Sequence, residues 1–198
     1  ILLLSILLGK KTFPDYIQLG KTSEKYFSSS HLNSFEISFS YLISATTGQS
    51  SELRYENLFQ TSNYNSGVRL EISRRKAGTS TWGLVYSDSK GDLKVIFLGA
   101  IPATERWHKL RIVYSDGEVQ IFNNGISLAH RENIDMKAQF NKVVSGLGFN
   151  DRVFHGKIRR FEIIRTINTT PIQILFLISA FLIIVTNLPL NHRQLPEI

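Results

Sequence analysis

The 198-residue chain carries 23 Lys+Arg against 16 Asp+Glu, a net charge of +7, with no Cys, one Met, 13 Phe, 7 Tyr and 2 Trp. That length suits one domain of roughly 150 residues with appendages, and 42% apolar with 11% aromatic residues exclude a wholly disordered chain. The missing Cys excludes disulfide scaffolds, zinc ribbons and thiol chemistry.

Ile1 to Leu8 holds seven apolar residues and Ser5, and is followed by Gly9-Lys10-Lys11. The segment 1–9 is too short to span a bilayer and reads as the end of a transmembrane helix or of a signal-peptide apolar region. A start at Ile1 and a polar tail over 191–198 read as a piece of a longer protein.

From Asn33 to Ile164 the apolar period is two. Phe35, Ile37, Phe39, Tyr41 and Ile43 alternate with Glu36, Ser38 and Ser40, which predicts a half-buried strand. Val68, Leu70 and Ile72 predict a second, Trp82, Leu84 and Tyr86 a third, and 92–98 a fourth. Residues 107–128 read as a meander. Leu110, Ile112 and Tyr114 alternate with Lys109 and Arg111, Ser115-Asp116-Gly117 turns, Val119 and Ile121 lead back, and Asn123-Asn124-Gly125 turns again. Residues 133–140 have room for a helical turn or two at most, and 156–164 predict a last strand. The expectation is an all-β, antiparallel sandwich.

Beyond it, 171–190 is a transmembrane helix by composition: 13 of the 17 residues from Ile172 to Leu188 are apolar, Pro171 and Pro189 border the run, and 166–192 contain no Asp, Glu, Lys or Arg. Twenty residues at ~1.5 Å each span about 30 Å, a bilayer core. The lipid bilayer is therefore an expected partner. Lys10, Lys11, Lys157, Arg159, Arg160 and Arg165 flank the apolar segments on the domain side and only Arg193 lies beyond, so charge bias favours a cytoplasmic domain. Long loops cross regardless of charge, and the domain is expected on the extracytoplasmic side of a membrane. The sequon at Asn168 sits too close to the apolar run to decide this.

Trp107-His108-Lys109-Leu110-Arg111-Ile112-Val113-Tyr114 followed by Gly117-Glu118-Val119-Gln120-Ile121-Phe122-Asn123-Asn124-Gly125 resembles the meander of laminin G-like, concanavalin A-like lectin-glucanase jelly rolls. Phe35 to Phe39, Asn57 to Gln60, Gly146 to Phe149, Phe154 to Ile158 and Phe161 to Ile163 are similar to that family's other core strands. The resemblance covers 13–165 and implies a jelly roll sandwich. It leaves the activity open, because such folds host lectins, adhesion domains and glycosidases.

The resemblance implies calcium as a cofactor, held at the sandwich rim by Asp and Asn oxygens; Asp88, Asp92, Asn150 and Asp151 are the available groups. A sugar site needs an aromatic platform and planar amides, and the candidates are Tyr55, Tyr64 and Trp82 with Asn63 and Asn65; Trp107 reads as core. The paired acids of the family's glycosidase branch are missing: Glu132 and Asp135 are the nearest pair and fall in a loop. The five His show no metal-ligand spacing, and Gly20-Lys21-Thr22 lacks the glycine that a phosphate loop needs at Asp15. Residues 10–165 hold 22 basic residues against 15 acidic ones; Arg74-Arg75-Lys76 and Arg159-Arg160 suit acidic glycans or lipid headgroups. No nucleic-acid motif accompanies the charge, so nucleic acid is not an expected partner. The expected function is non-catalytic recognition of carbohydrate or a cell-surface polymer by a membrane-tethered domain. The alternative is an accessory domain of a larger membrane-embedded enzyme of envelope polysaccharide, and a glycoside hydrolase ranks third.

Overall fold

The computed structural model describes residues 11–12, 23–45, 54–63, 66–75, 79–146 and 152–165. They form twelve strands: β1 (Lys11–Thr12), β2 (Ser23–His31), β3 (Ser34–Ile43), β4 (Arg54–Gln60), β5 (Val68–Arg74), β6 (Thr81–Ser87), β7 (Leu93–Ala100), β8 (Trp107–Ser115), β9 (Glu118–Asn123), β10 (Ile126–Arg131), β11 (Gln139–Ser145) and β12 (Gly156–Arg165). Two antiparallel six-stranded sheets result, ordered β1-β12-β3-β8-β9-β10 (sheet A) and β2-β11-β4-β5-β6-β7 (sheet B). The expected transmembrane helix at 171–190 and the apolar segment 1–9 lie outside the described residues, among which no helix is long and apolar enough to cross a membrane.

Strand β3 organises sheet A. Phe35, Ile37, Phe39, Tyr41 and Ile43 are all at most 1% exposed. Sliding β3 by one residue would expose all five, at a cost on the order of 10 kcal/mol, so the register with β8 (Phe39↔Leu110) and β12 (Ile37↔Ile163) is strongly specified. The two sheets interdigitate through these side chains. Phe39 stacks on Phe161 (5.1 Å between ring centroids) and meets Phe59 of sheet B edge-on at 5.7 Å, and Phe35 meets Phe140 at 5.0 Å. The result is one aromatic-rich core between the layers.

Both turns of the meander form as expected. Asp116 and Gly117 have φ of 50° and 81°, and Asn124 and Gly125 have 51° and 81°, the left-handed pair of a two-residue hairpin turn. Residues 133–138 hold no helical turn, within the bound expected, and the strand that follows, β11, spans Gln139–Ser145; of the core-strand stretch expected at Gly146 to Phe149, residues 147–149 lie outside the described residues. Strand β2 was not signalled by the apolar period at all.

Register places the β3–β4, β5–β6, β7–β8, β9–β10 and β11–β12 connections at one end of the sandwich, here called the upper end. The Arg74 guanidinium donating to Ser44 O at 3.1 Å confirms that the upper ends of both sheets coincide.

Candidate functional site

The residues expected to form a sugar site are dispersed. Trp82 is 3% exposed and packs inward against Tyr41 at 5.9 Å, so its ring faces are not open to a ligand. Tyr55 is the second residue of β4, at the upper end, whereas Asn63 follows the lower end of the same strand. Five residues from Tyr55 to Gln60 at ~3.3 Å each keep them roughly 17 Å apart. Tyr64 and Asn65 lie outside the described residues. Tyr55 is 36% exposed with Arg152 above its ring at 4.8 Å, and Arg152 also binds Glu71. Around it the outer face of sheet B is closed, with Asn57, Gln60, Arg69 and Val85 all buried.

Of the expected calcium ligands, Asn150 and Asp151 lie outside the described residues. Asp88 and Asp92 share the β6–β7 turn. Asp88 Oδ1 accepts from the Asp92 and Lys90 amides (2.8 and 3.0 Å), and Lys94 Nζ sits 3.5 Å from Asp88 Oδ2. Desolvation would raise the Asp88 carboxyl, but these amides and Lys94 outweigh it and hold it below the ordinary range. Among the described residues no group of three or more His, Asp or Glu is placed to hold a metal ion.

The other outward surface is open. On sheet A the outward positions of β3, β8 and β12 run in rows: Trp107, Leu42 and Lys157 form the uppermost, Lys109, Ser40 and Arg159 the next, and Arg111, Ser38 and Glu162 the third. None of these nine is buried. Trp107 is thus a surface residue rather than the core residue expected, and the parity of β8 explains why. Leu110, Ile112 and Tyr114 point inward, so Trp107, Lys109 and Arg111 must point outward.

Arg159 reaches across β3 to lay its guanidinium over the Trp107 ring, 3.9 Å from the centroid. In the third row Arg111 makes a two-pronged contact with Glu36 (2.9 Å on each side), which raises the already high Arg111 pKa, and lies 5.7 Å from the Phe122 centroid. The upper rows therefore combine an indole, a stacked guanidinium and two exposed ammonium groups. The lower row is charge-compensated.

No protein-family model matches the chain, and no curated protein does. Among solved structures, the binding domain of botulinum neurotoxin serotype D superposes with a TM-score of 0.56 at 16% identity, covering 87% of this chain and 45% of that one. The serotype G binding domain gives 0.53 at 16%, covering 86% and 43%. A sialidase CBM40 from Ruminococcus gnavus bound to α2,3-sialyllactose gives 0.49 at 15%, covering 80% and 99%. The chain spans less than half the length of either neurotoxin domain. At these identities the likeness to the two neurotoxin domains shows a shared β-sandwich fold.

Proposed function

We propose that this chain is a non-catalytic domain that recognises carbohydrate or a surface polymer on the open outer face of sheet A. The observation that carries the reading is the Trp107–Arg159 stack, flanked by Lys109 and Lys157 on the same sheet face, with Leu42 and Ser40 between them. Sugars expose C–H faces that pack on flat groups and hydroxyls that need donors at the edge. The stacked guanidinium is itself flat and carries N–H donors along its edge, and the indole beneath it holds it in place. A rigid three-strand platform holds them without further ordering on binding.

The state of the carboxylates supports recognition over hydrolysis. Glycoside hydrolysis needs two carboxyls flanking the bond, one of them held ready to give a proton. Here Glu56 is committed to Arg74, Glu71 to Arg69 and Arg152, and Glu36 to Arg111. Domains described as binding domains share the fold, an analogy that names no ligand. The charge-free stretch 166–192 supports a membrane tether, with the sandwich outside the cytoplasm where surface polymers are met.

The test is a glycan and polysaccharide array probed with the full 198-residue chain in detergent, with and without calcium. Saturable binding that Trp107→Ala removes, with the sheet circular dichroism unchanged, is the expected result. Binding that survives Trp107→Ala would move the site elsewhere. A folded chain that binds no sugar on the array would overturn the reading in favour of an accessory role in a larger membrane enzyme, and release of reducing sugar from a bound glucan would overturn the non-catalytic assignment.

A further inference from the structure

Several charges of this domain are answered where they stand. Arg74 faces Glu56, Arg69 and Arg152 face Glu71, Arg111 faces Glu36, and Lys94 faces Asp88 and Asp92. The upper rows of sheet A differ from these pairs. Lys109, Lys157 and Arg159 share one outward face across three neighbouring strands, and no carboxylate occupies a position in those two rows. Among the described residues the Arg159 guanidinium meets the Trp107 ring, and its buried Nε has no hydrogen-bond acceptor.

Adjacent strands lie ~4.8 Å apart, so the Lys109 and Arg159 backbones are about 10 Å apart, and Arg159 is drawn over β3 toward Lys109. Like charges about one Debye length apart on a sheet face repel one another weakly. Nothing in the core requires them, because the inward residues of the same strands, Tyr41, Leu110 and Ile158, are packed independently of what stands outside. Cations gathered beside a flat ring, with no carboxylate in their own two rows, are complementary to an anion carried on a ring-bearing chain.

We propose that this patch binds the acidic groups, carboxylate, sulfate or phosphate, of an anionic polysaccharide, with Lys109 and Lys157 as the mobile charges and Arg159 as the charge held in place by Trp107. The proposal rests on the carbohydrate reading above and names its ligand class. Lys109 and Lys157 supply long-range attraction that salt screens. Arg159 supplies a planar fork for one oxyanion. Arg111 contributes little, since Glu36 already holds it.

The experiment uses the full chain in detergent against dextran sulfate, its uncharged parent dextran of equal length, and polyglutamate, a polyanion without sugar rings. Dextran sulfate is expected to bind saturably, at least about tenfold tighter than dextran, and at least about tenfold weaker at ~0.3 M than at ~0.05 M salt. The double variant Lys109→Gln, Lys157→Gln is expected to lose at least about tenfold in affinity while its melting temperature stays equal or rises, because the repulsion is relieved. Equal binding of dextran and dextran sulfate, unchanged in the double variant, would overturn the anionic ligand and leave the carbohydrate reading standing. Polyglutamate binding as tightly as dextran sulfate would keep the anion patch and remove the sugar. Binding to none of the three by a folded chain would overturn both.

Discussion

Arg74 Nε lies 2.9 Å from Glu56 Oε1, and both side chains are sealed inside the upper end of the sandwich, at 6% and 0% exposure. The second guanidinium nitrogen reaches Glu56 Oε2 at 3.4 Å and Ser44 O at 3.1 Å, and the His155 amide donates to Glu56 Oε2 at 3.0 Å. One pair thus ties together β4, β5, the end of β3 and the entry to β12. Removing one partner strands the other charge in the interior, so Arg74→Met is expected to cost about 3–5 kcal/mol by urea titration. Arg111→Met, which breaks an exposed pair with Glu36, is expected to cost less than about 1 kcal/mol. Comparable losses in the two variants would show that the interior pair is not special.

The two tryptophans should respond oppositely. Trp82→Ala empties core volume beside Tyr41 and is expected to lower stability by about 3–5 kcal/mol, with polymer binding per folded molecule unchanged. Trp107→Ala removes an outward ring and is expected to cost about 1 kcal/mol or less while abolishing binding. Parallel urea titrations and binding isotherms on both variants separate the two roles.

Alkaline pH probes the core. Burial pushes the Tyr41 phenol far above its ordinary value near 10, and the Tyr86 and Tyr114 phenols shift the same way, again through burial first. The folded value lies above the unfolded one, so this stability is intact below about pH 10 and falls as the unfolded chain ionises above it. Urea midpoints are therefore expected to drop steeply above about pH 10. Tyr41→Phe loses the 2.9 Å hydrogen bond that the phenol donates to Asn123 Oδ1, about 1 kcal/mol near neutrality, and its deficit should shrink as pH rises.

At the acid end Asp88 has the opposite sign. Its folded value is depressed, so its contribution is present above the ordinary carboxylate value near 3.9 and is lost as pH falls through the lowered one. Asp88→Asn keeps an acceptor for the Lys90 and Asp92 amides but cannot titrate. The variant should therefore unfold with a shallower acid limb than the parent, and an unchanged limb would mean that other carboxylates govern it.

Much of the sandwich could be read from single-residue alternation. Strands β3, β5, β6, β8 and β9 each place apolar residues at alternate positions on the inward face, although Leu42, Val85, Val113 and Phe122 stand at the opposite parity. Strand β11 escaped because its pairing with β2 shifts between Phe140 and Lys142, which breaks the alternation, and β2 is polar along most of its length. The site was harder. Trp82 shares the parity of Leu84 and Tyr86 and is inward by that count; Trp107 shares the parity of Lys109 and is outward. The signal is present for both, because parity in the pleat, and not the size of the ring, sets which way an aromatic side chain points. That Arg159 meets Trp107 depends on β12 lying beside β3, a long-range pairing no local pattern reveals.

Strand β3 sits between β8 and β12, the latter reaching it from more than a hundred residues downstream. An N-terminal core strand whose edge is completed by the final strand of the sheet imposes an order on biosynthesis. Sheet A cannot close, and Phe161 cannot cover Phe39, until the chain has been made through β12. Until then the nascent protein exposes one edge of its most apolar strand, so a premature stop anywhere before Gly156 should leave an aggregation-prone product rather than a smaller folded domain.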